Sequence, residues 1–238
     1  IYYFSIMKTK IFCDTANFNT IKKYNKKKIV SGFTTNPSLM RLAGAKNYEK
    51  YAKKILNIRN NKPISFEVFA DTASEMIEQG LKINEWGKNV YVKIPVTNSK
   101  GKFSGNAIRY LSHKNVKLNI TAVYTSEQTK KILENLNKNV KSIISIFAGR
   151  MSDVGKDPMP IIKECIKLAK KNKKVEILWA STREAYNFTQ AQKINCHIIT
   201  MPDKIIEKVS KFGKSFQSLT TETVKKFLVD SKESNFKL

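Results

Sequence analysis

Histidine, cysteine and acidic residues are all scarce in this 238-residue chain, and each scarcity excludes something. The two histidines, His113 and His197, stand far apart without a ligand-spaced partner, so neither a zinc site nor a Ser-His-Asp triad is expected. Three cysteines, Cys13, Cys165 and Cys196, make an odd number with no C-x-x-C spacing; free thiols in a reducing compartment, the cytoplasm, fit them best. No stretch approaches the roughly 18 consecutive apolar residues of a membrane-spanning helix. Linkers and low-complexity blocks are also missing, so one domain is expected at this length. Acid is the most marked shortage: 44 Lys and Arg face 19 Asp and Glu, a formal charge of +25. Such an excess favours polyanions. The lysines are nevertheless scattered along almost every helical segment, with short runs at Lys26-Lys27-Lys28, Lys170-Lys171 and Lys173-Lys174, and no aromatic-interleaved RNA-binding signature accompanies them. Solvated helix faces are the expected reading, with a basic polyanion-binding protein as the alternative of another class and no specific nucleic-acid partner.

Eight short apolar runs punctuate the chain: 10–14, 29–35, 64–70, 89–96, 116–124, 142–148, 175–180 and 196–201. Amphipathic segments separate them, many opening on helix-start signals. Asn36-Pro37 places an N-cap before a first-turn proline, and Asp157-Pro158 repeats the device. Thr72 with Glu75, and Thr125 with Gln128, have capping-box spacing. Strand and helix alternating eight times predicts a single α/β domain, a (β/α)8 TIM barrel. A doubly wound open sheet is the alternative, but Asp14-Thr15-Ala16-Asn17 stands after the first run, where a Gly-rich phosphate loop would be needed. The barrel is expected over 7–212, followed by a helical extension over 213–238. The apolar leader over 1–6 is too short for a signal core and is read as sequence upstream of a start at Met7.

Barrel active sites lie at the C-terminal ends of the strands. Every run but the last offers a polar side chain there. They are Asp14, Thr34 with Asn36, Glu67, Lys93, Asn119 with Thr121, Ser145 with Phe147 and Arg150, and Ser181 with Arg183. Residues two apart on a strand share a face, which pairs Thr34 with Asn36, Asn119 with Thr121 and Ser145 with Phe147. Any one of these has an ordinary alternative: Asn36 as a helix cap, Asp14 in an Asx turn, Glu67 in a structural ion pair with Lys93, and Lys93 itself snorkelling to water from a strand end. Together they describe a polar barrel mouth around one lysine. Burial disfavours an ammonium, and an amine so placed can attack a carbonyl to form a Schiff base. Arg150 and Arg183, with Ser181, suit a phosphate monoester through paired guanidinium hydrogen bonds. Asp14 and Glu67 supply two carboxylates for proton transfer.

The segments Phe12-Cys13-Asp14-Thr15-Ala16, Gly32-Phe33-Thr34-Thr35-Asn36-Pro37-Ser38-Leu39, Val92-Lys93-Ile94-Pro95-Val96-Thr97, Asn119-Ile120-Thr121-Ala122-Val123-Tyr124 and Phe147-Ala148-Gly149-Arg150 resemble, in order, the motifs of the transaldolase family, particularly its small bacterial and archaeal branch. The resemblance implies a class I aldolase-type barrel needing neither cofactor nor metal, acting on sugar phosphates in the pentose phosphate pathway. Lys93 would form the Schiff base and Asp14 would take the C4 hydroxyl proton. Glu67 and Thr121 would position water; Thr34, Asn36, Asn119, Ser145 and Phe147 would line the bound three-carbon unit, and Arg150, Ser181 and Arg183 would bind phosphate. It also implies a homo-oligomer, a pentamer or decamer. The rival within the family, fructose-6-phosphate aldolase, carries glutamine and tyrosine where this chain has Glu67 and Phe147, so both positions favour transaldolase. Three departures from the family pattern touch the mouth: a longer loop over 98–105, Ile146 in place of a proline, and Thr182 in place of an aromatic.

Overall fold

The computed structural model describes residues 9–58 and 62–237; the leader expected over 1–6 lies outside them. Eight parallel strands follow one another around a closed barrel, the last pairing with the first. They are β1 Lys10–Asp14, β2 Val30–Thr34, β3 Ile64–Glu67, β4 Val90–Pro95, β5 Leu118–Val123, β6 Ser142–Ile146, β7 Val175–Trp179 and β8 Ile198–Met201. The intervening helices are α1 Phe18–Asn25, α2 Pro37–Leu42, α3 Tyr48–Leu56, α4 Ala73–Asn84, α5 Gly105–His113, α6 Ser126–Asn135, α7 Ala148–Asp153, α8 Met159–Ala169 and α9 Tyr186–Lys193. After β8 come α10 Asp203–Val209 and α11 Phe216–Glu233. The molecule is a (β/α)8 TIM barrel carrying an extra C-terminal helix.

Strand alternation sorts the side chains into two apolar groups. Val90, Val92 and Ile94 of β4 face outward into the main core, shared with helix residues such as Ile108, Leu111 and Ile132. Inside the barrel a smaller group, Phe12, Tyr91, Ile143, Leu178, Ala180 and Ile198, packs with Phe147. Gly32 makes room for it, since a Cβ there would sit 2.6 Å from the Phe12 ring. This apolar plug fills the lower barrel and leaves the C-terminal strand ends to the polar residues.

The start signals act largely as read. Asn36 caps α2 by accepting from Leu39 N at 2.8 Å, with Pro37 in the first turn. Thr125 and Gln128 close a full capping box on α6. At α4 the Thr72 hydroxyl accepts from Glu75 N and donates to the Glu75 carboxylate at 2.7 Å, so the carboxylate binds the cap's side chain instead of its backbone. Asp157 accepts from Met159 N across Pro158, which opens α8.

Several strands stop short of the predicted runs. Beyond Glu67 the backbone makes one more ladder bond, from Val68 N to Lys93 O; the next donor, Phe69 N, turns to the Gln79 side chain, and β3 ends. Asn36 and Phe147 likewise lie past their strands, each at the N-cap of the following helix. The longer loop over 98–105 is an ordered hairpin, with Thr97 bridged to Phe103 and Asp71 accepting from Ser99 N and Oγ at 2.7 and 2.6 Å.

Candidate active site

Register brings the polar strand ends into one ring. Parallel pairing sets Asp14 beside Thr34, Glu67 beside Lys93, Lys93 beside Asn119, and Pro95 beside Thr121. Lys93 is 6% exposed. Its Nζ lies 3.0 Å from Glu67 Oε2 and donates to Thr35 O at 3.1 Å. The ordinary alternatives raised for Lys93 and Glu67 thus resolve together: the lysine does not reach for water but pairs with the glutamate inside the barrel. Tyr48 buttresses that glutamate, its hydroxyl accepting from Glu67 N at 3.0 Å. Burial pushes the Tyr48 hydroxyl up to about 12, so it stays protonated.

Asp14 sits across the ring. Burial raises its carboxyl above the usual range, opposed by the charge of Lys93 and by the hydrogen bond from Thr34 Oγ1 at 2.7 Å. A carboxyl shifted upward in this way is suited to exchanging a proton with a substrate hydroxyl. Ser145 Oγ donates to Asn119 Oδ1 at 2.7 Å, and Asn119 Nδ2 donates to Ser65 Oγ at 3.0 Å, which orients the amide. Thr121, 1% exposed, has a hydroxyl with no hydrogen-bond partner among the described residues. Buried hydroxyls are rarely left so, and this one belongs to a residue on the wall of a cavity. The strand bends at that point: β5 shifts register between Ile120 and Val123, and Ala122 takes a left-handed φ of 58°.

The cavity has a volume of about 190 Å³. Asp14, Thr34, Asn36, Lys93, Thr121, Ser145, Phe147, Arg150, Ser181 and Arg183 all line it. Glu67 and Asn119 stand behind the wall, reaching it through Lys93 and Ser145. Phe147 stacks edge-on against Tyr124, with 5.9 Å between ring centroids. Arg150 projects from α7 and Ser181 holds a left-handed φ of 64° after β7. Their backbones approach so closely that a Cβ on Gly149 would fall 1.6 Å from Ser181 O.

Sequence reasoning missed four residues here. The eighth strand does contribute a polar side chain: Thr200 lines the cavity, with its hydroxyl 2.5 Å from that of Thr34. Its place two residues after Ile198 on an inward-facing register was the available signal. Asp153 grips Arg183, accepting from Nε at 2.9 Å and from Nη2 at 2.5 Å, while Nη1 donates to Ser181 O at 3.1 Å. One edge of the Arg183 guanidinium is therefore occupied by a carboxylate, and Arg150 is the freer of the two guanidinium groups. Nothing in sequence links positions 153 and 183. Tyr48 and Ser65 act through their neighbours and carry no local signature. Thr182, at the position where the family pattern has an aromatic, is buried and donates to Thr200 O at 2.7 Å, which ties the loop after β7 to β8.

Comparison with known proteins gives the same direction. The family described as transaldolase/fructose-6-phosphate aldolase matches residues 11–238. A protein of Thermoplasma volcanium named "Probable transaldolase" is 36% identical over 228 residues, covering 94% of this chain and 96% of its own. One of the same name from Streptococcus equi subsp. zooepidemicus is 35% identical over 222 residues, covering 93% and 97%. Among solved structures, orotidine 5'-monophosphate decarboxylase from Sulfolobus solfataricus superposes with a TM-score of 0.54 at 13% identity, covering 94% of this chain and 99% of that one, a likeness of fold alone. On the length of these matches, the chain belongs to the transaldolase/fructose-6-phosphate aldolase family.

Proposed function

We propose that the protein is a transaldolase that moves a dihydroxyacetone unit between sugar phosphates through a Schiff base on Lys93. The observation that carries this reading is the buried Lys93 Nζ, held 3.0 Å from Glu67 on the wall of a cavity that Asp14 shares. The amine adds to the C2 carbonyl of fructose 6-phosphate, and loss of water leaves an iminium. Glu67 and Thr121 hold that water. Asp14 takes the proton of the C4 hydroxyl, the C3–C4 bond breaks, and its electron pair flows into the iminium to give an enamine; glyceraldehyde 3-phosphate departs. The enamine carbon then attacks the aldehyde of erythrose 4-phosphate, Asp14 returns its proton, and hydrolysis of the imine releases sedoheptulose 7-phosphate. Thr34, Asn36 and Ser145 hold hydroxyls of the retained unit, Asn119 acts on it by orienting Ser145, and Arg150, Ser181 and Arg183 bind the phosphate.

Transfer is favoured over simple aldol cleavage because Phe147, which has no hydroxyl, lines the cavity, and no tyrosine does among the described residues. Water-mediated release of dihydroxyacetone needs a proton donor at the enamine carbon, so the enamine waits for an aldehyde. The test is borohydride reduction in the presence of fructose 6-phosphate, with mass spectrometry of the digest. A stable adduct on Lys93 is expected, together with faster consumption of fructose 6-phosphate when erythrose 4-phosphate is added. Absence of an adduct rejects the Schiff base, and equal rates with and without acceptor assign the aldolase reaction instead.

The same reading places the enzyme in the cytoplasm without a cofactor, as a barrel over 7–212 with an extension over 213–238. An oligomer is part of it. No residue of α11 is buried, yet Phe216, Leu219, Val224, Phe227, Leu228 and Val229 are exposed on it, a concentration of apolar surface that supports association through this helix.

A further inference from the structure

A second cavity, larger than the one that Lys93 lines, opens elsewhere in the molecule. About 1080 Å³ in volume, it lies at the opposite, N-terminal mouth of the barrel and shares no lining residue with the active-site cavity. The apolar plug separates them, since Phe12, Tyr91 and Ile143 form the floor of this second space. Its walls are lysine. Lys10 comes from the first residue of β1, Lys88 and Lys117 precede β4 and β5, Lys141 precedes β6, and Lys173 and Lys174 precede β7. The sequence pattern spreads these residues over a long chain as solvated charges; barrel closure brings them to one rim.

Counter-charge is nearly absent. Glu176 is the one carboxylate among the described lining residues, and Lys10 engages it at 2.8 Å. Lys88, Lys141, Lys173 and Lys174 have no ion-pair partner among the described residues. Lys117 donates to Lys88 O and lies 5.3 Å from the centroid of the Tyr91 ring. Burial, and then the charge of Lys141, lower its ammonium below the usual lysine range. A ring of like charges on a low-dielectric floor concentrates a positive potential that an anion relieves. His197 adds a neutral donor: its Nδ1 accepts from Ile177 N at 2.9 Å, which leaves the proton on Nε2 of a ring that lines the cavity.

We propose that this N-terminal mouth binds a small oligophosphate anion, at a site independent of the reaction. The cavity has the volume of a whole small ligand, and its charges sit around the rim of one bowl, which fits a compact anion better than an extended backbone. Isothermal titration calorimetry of the full chain with sodium tripolyphosphate, at physiological ionic strength, tests it. Saturable binding is expected. It should weaken by about tenfold or more in Lys141→Ala/Lys174→Ala and persist in Lys141→Arg/Lys174→Arg. Equal affinity for tripolyphosphate and a nucleoside triphosphate assigns recognition to the phosphate chain, and tighter binding of the nucleotide adds a base contact; both support the site. No saturable heat, or undiminished binding in the double alanine variant, overturns it. So does tighter binding of a single-stranded oligonucleotide than of tripolyphosphate, which makes the rim a nucleic-acid surface.

Discussion

At the scale of single residues, Asp14 carries the clearest conflict between chemistry and stability. Burial raises its carboxyl above the ordinary value of 3.8, so the folded state binds a proton that the unfolded chain gives up at lower pH. The sign follows: the contribution of this group to stability is fully present below its unfolded value and is lost as pH rises through the raised folded value. Asp14→Asn removes the charge at neutral pH. The variant is expected to be more stable than wild type at pH 7, to converge with it near pH 4, and to lose C–C bond cleavage; urea denaturation at the two values checks the first two. A wild type more stable than the variant at pH 7 contradicts the argument. Lys93 and Glu67 form the complementary case. Lys93→Met abolishes adduct formation and leaves Glu67 in the barrel without its partner, at a cost of about 3 kcal/mol. Adding Glu67→Gln should restore part of that stability, and a double variant no more stable than Lys93→Met would mean that the pair is not coupled.

At the scale of elements, the active site depends on backbone contacts that side chains do not advertise. Helix α7 meets the loop after β7 where Gly149 abuts Ser181 O. A methyl group at 149 collides with backbone, which has no rotamer to yield, so Gly149→Ala is expected to cost upwards of about 3 kcal/mol and to weaken phosphate-bearing substrates more than kcat. Thermal unfolding and the ratio of KM to kcat read the two effects separately; a variant with wild-type Tm and KM shows the contact to be compliant. Elements were largely legible in the sequence. Helix starts at Asn36 and Thr125 are local chemistry, written within four residues, and they appear where the pattern places them. Strand ends were less legible: Glu67 is followed by the apolar Val68-Phe69-Ala70, and the hydrogen bond from Phe69 N to Gln79 stops β3.

At the scale of the whole molecule, α11 is the element that the barrel leaves over. Eight units close without it, and none of its apolar residues is buried. Removing residues 214–238 should therefore leave the denaturant midpoint of the barrel nearly unchanged while lowering the mass of the assembly measured by light scattering. A truncated chain that keeps its full assembly mass, or a full-length chain that is already a monomer, defeats the oligomer reading. Charge also belongs at this scale. An excess of +25 says nothing by itself about where an anion binds, and the helices do expose many of the lysines as expected. Closure of the sheet is what gathers Lys10, Lys88, Lys117, Lys141, Lys173 and Lys174 around one bowl.

The sequence alone determined the alternation of strand and helix, the barrel and the identity of most of the polar ring, because periodicity, caps and strand-end position are properties of neighbouring residues. It singled out Lys93 by the contrast between an ammonium and the apolar strand around it. Tertiary structure decided the partners: Glu67 on Lys93, Thr200 on Thr34 and Asp153 on Arg183. Each joins residues from different strands or loops, and such pairs are set by the register of a closed sheet, a long-range quantity that no local pattern encodes.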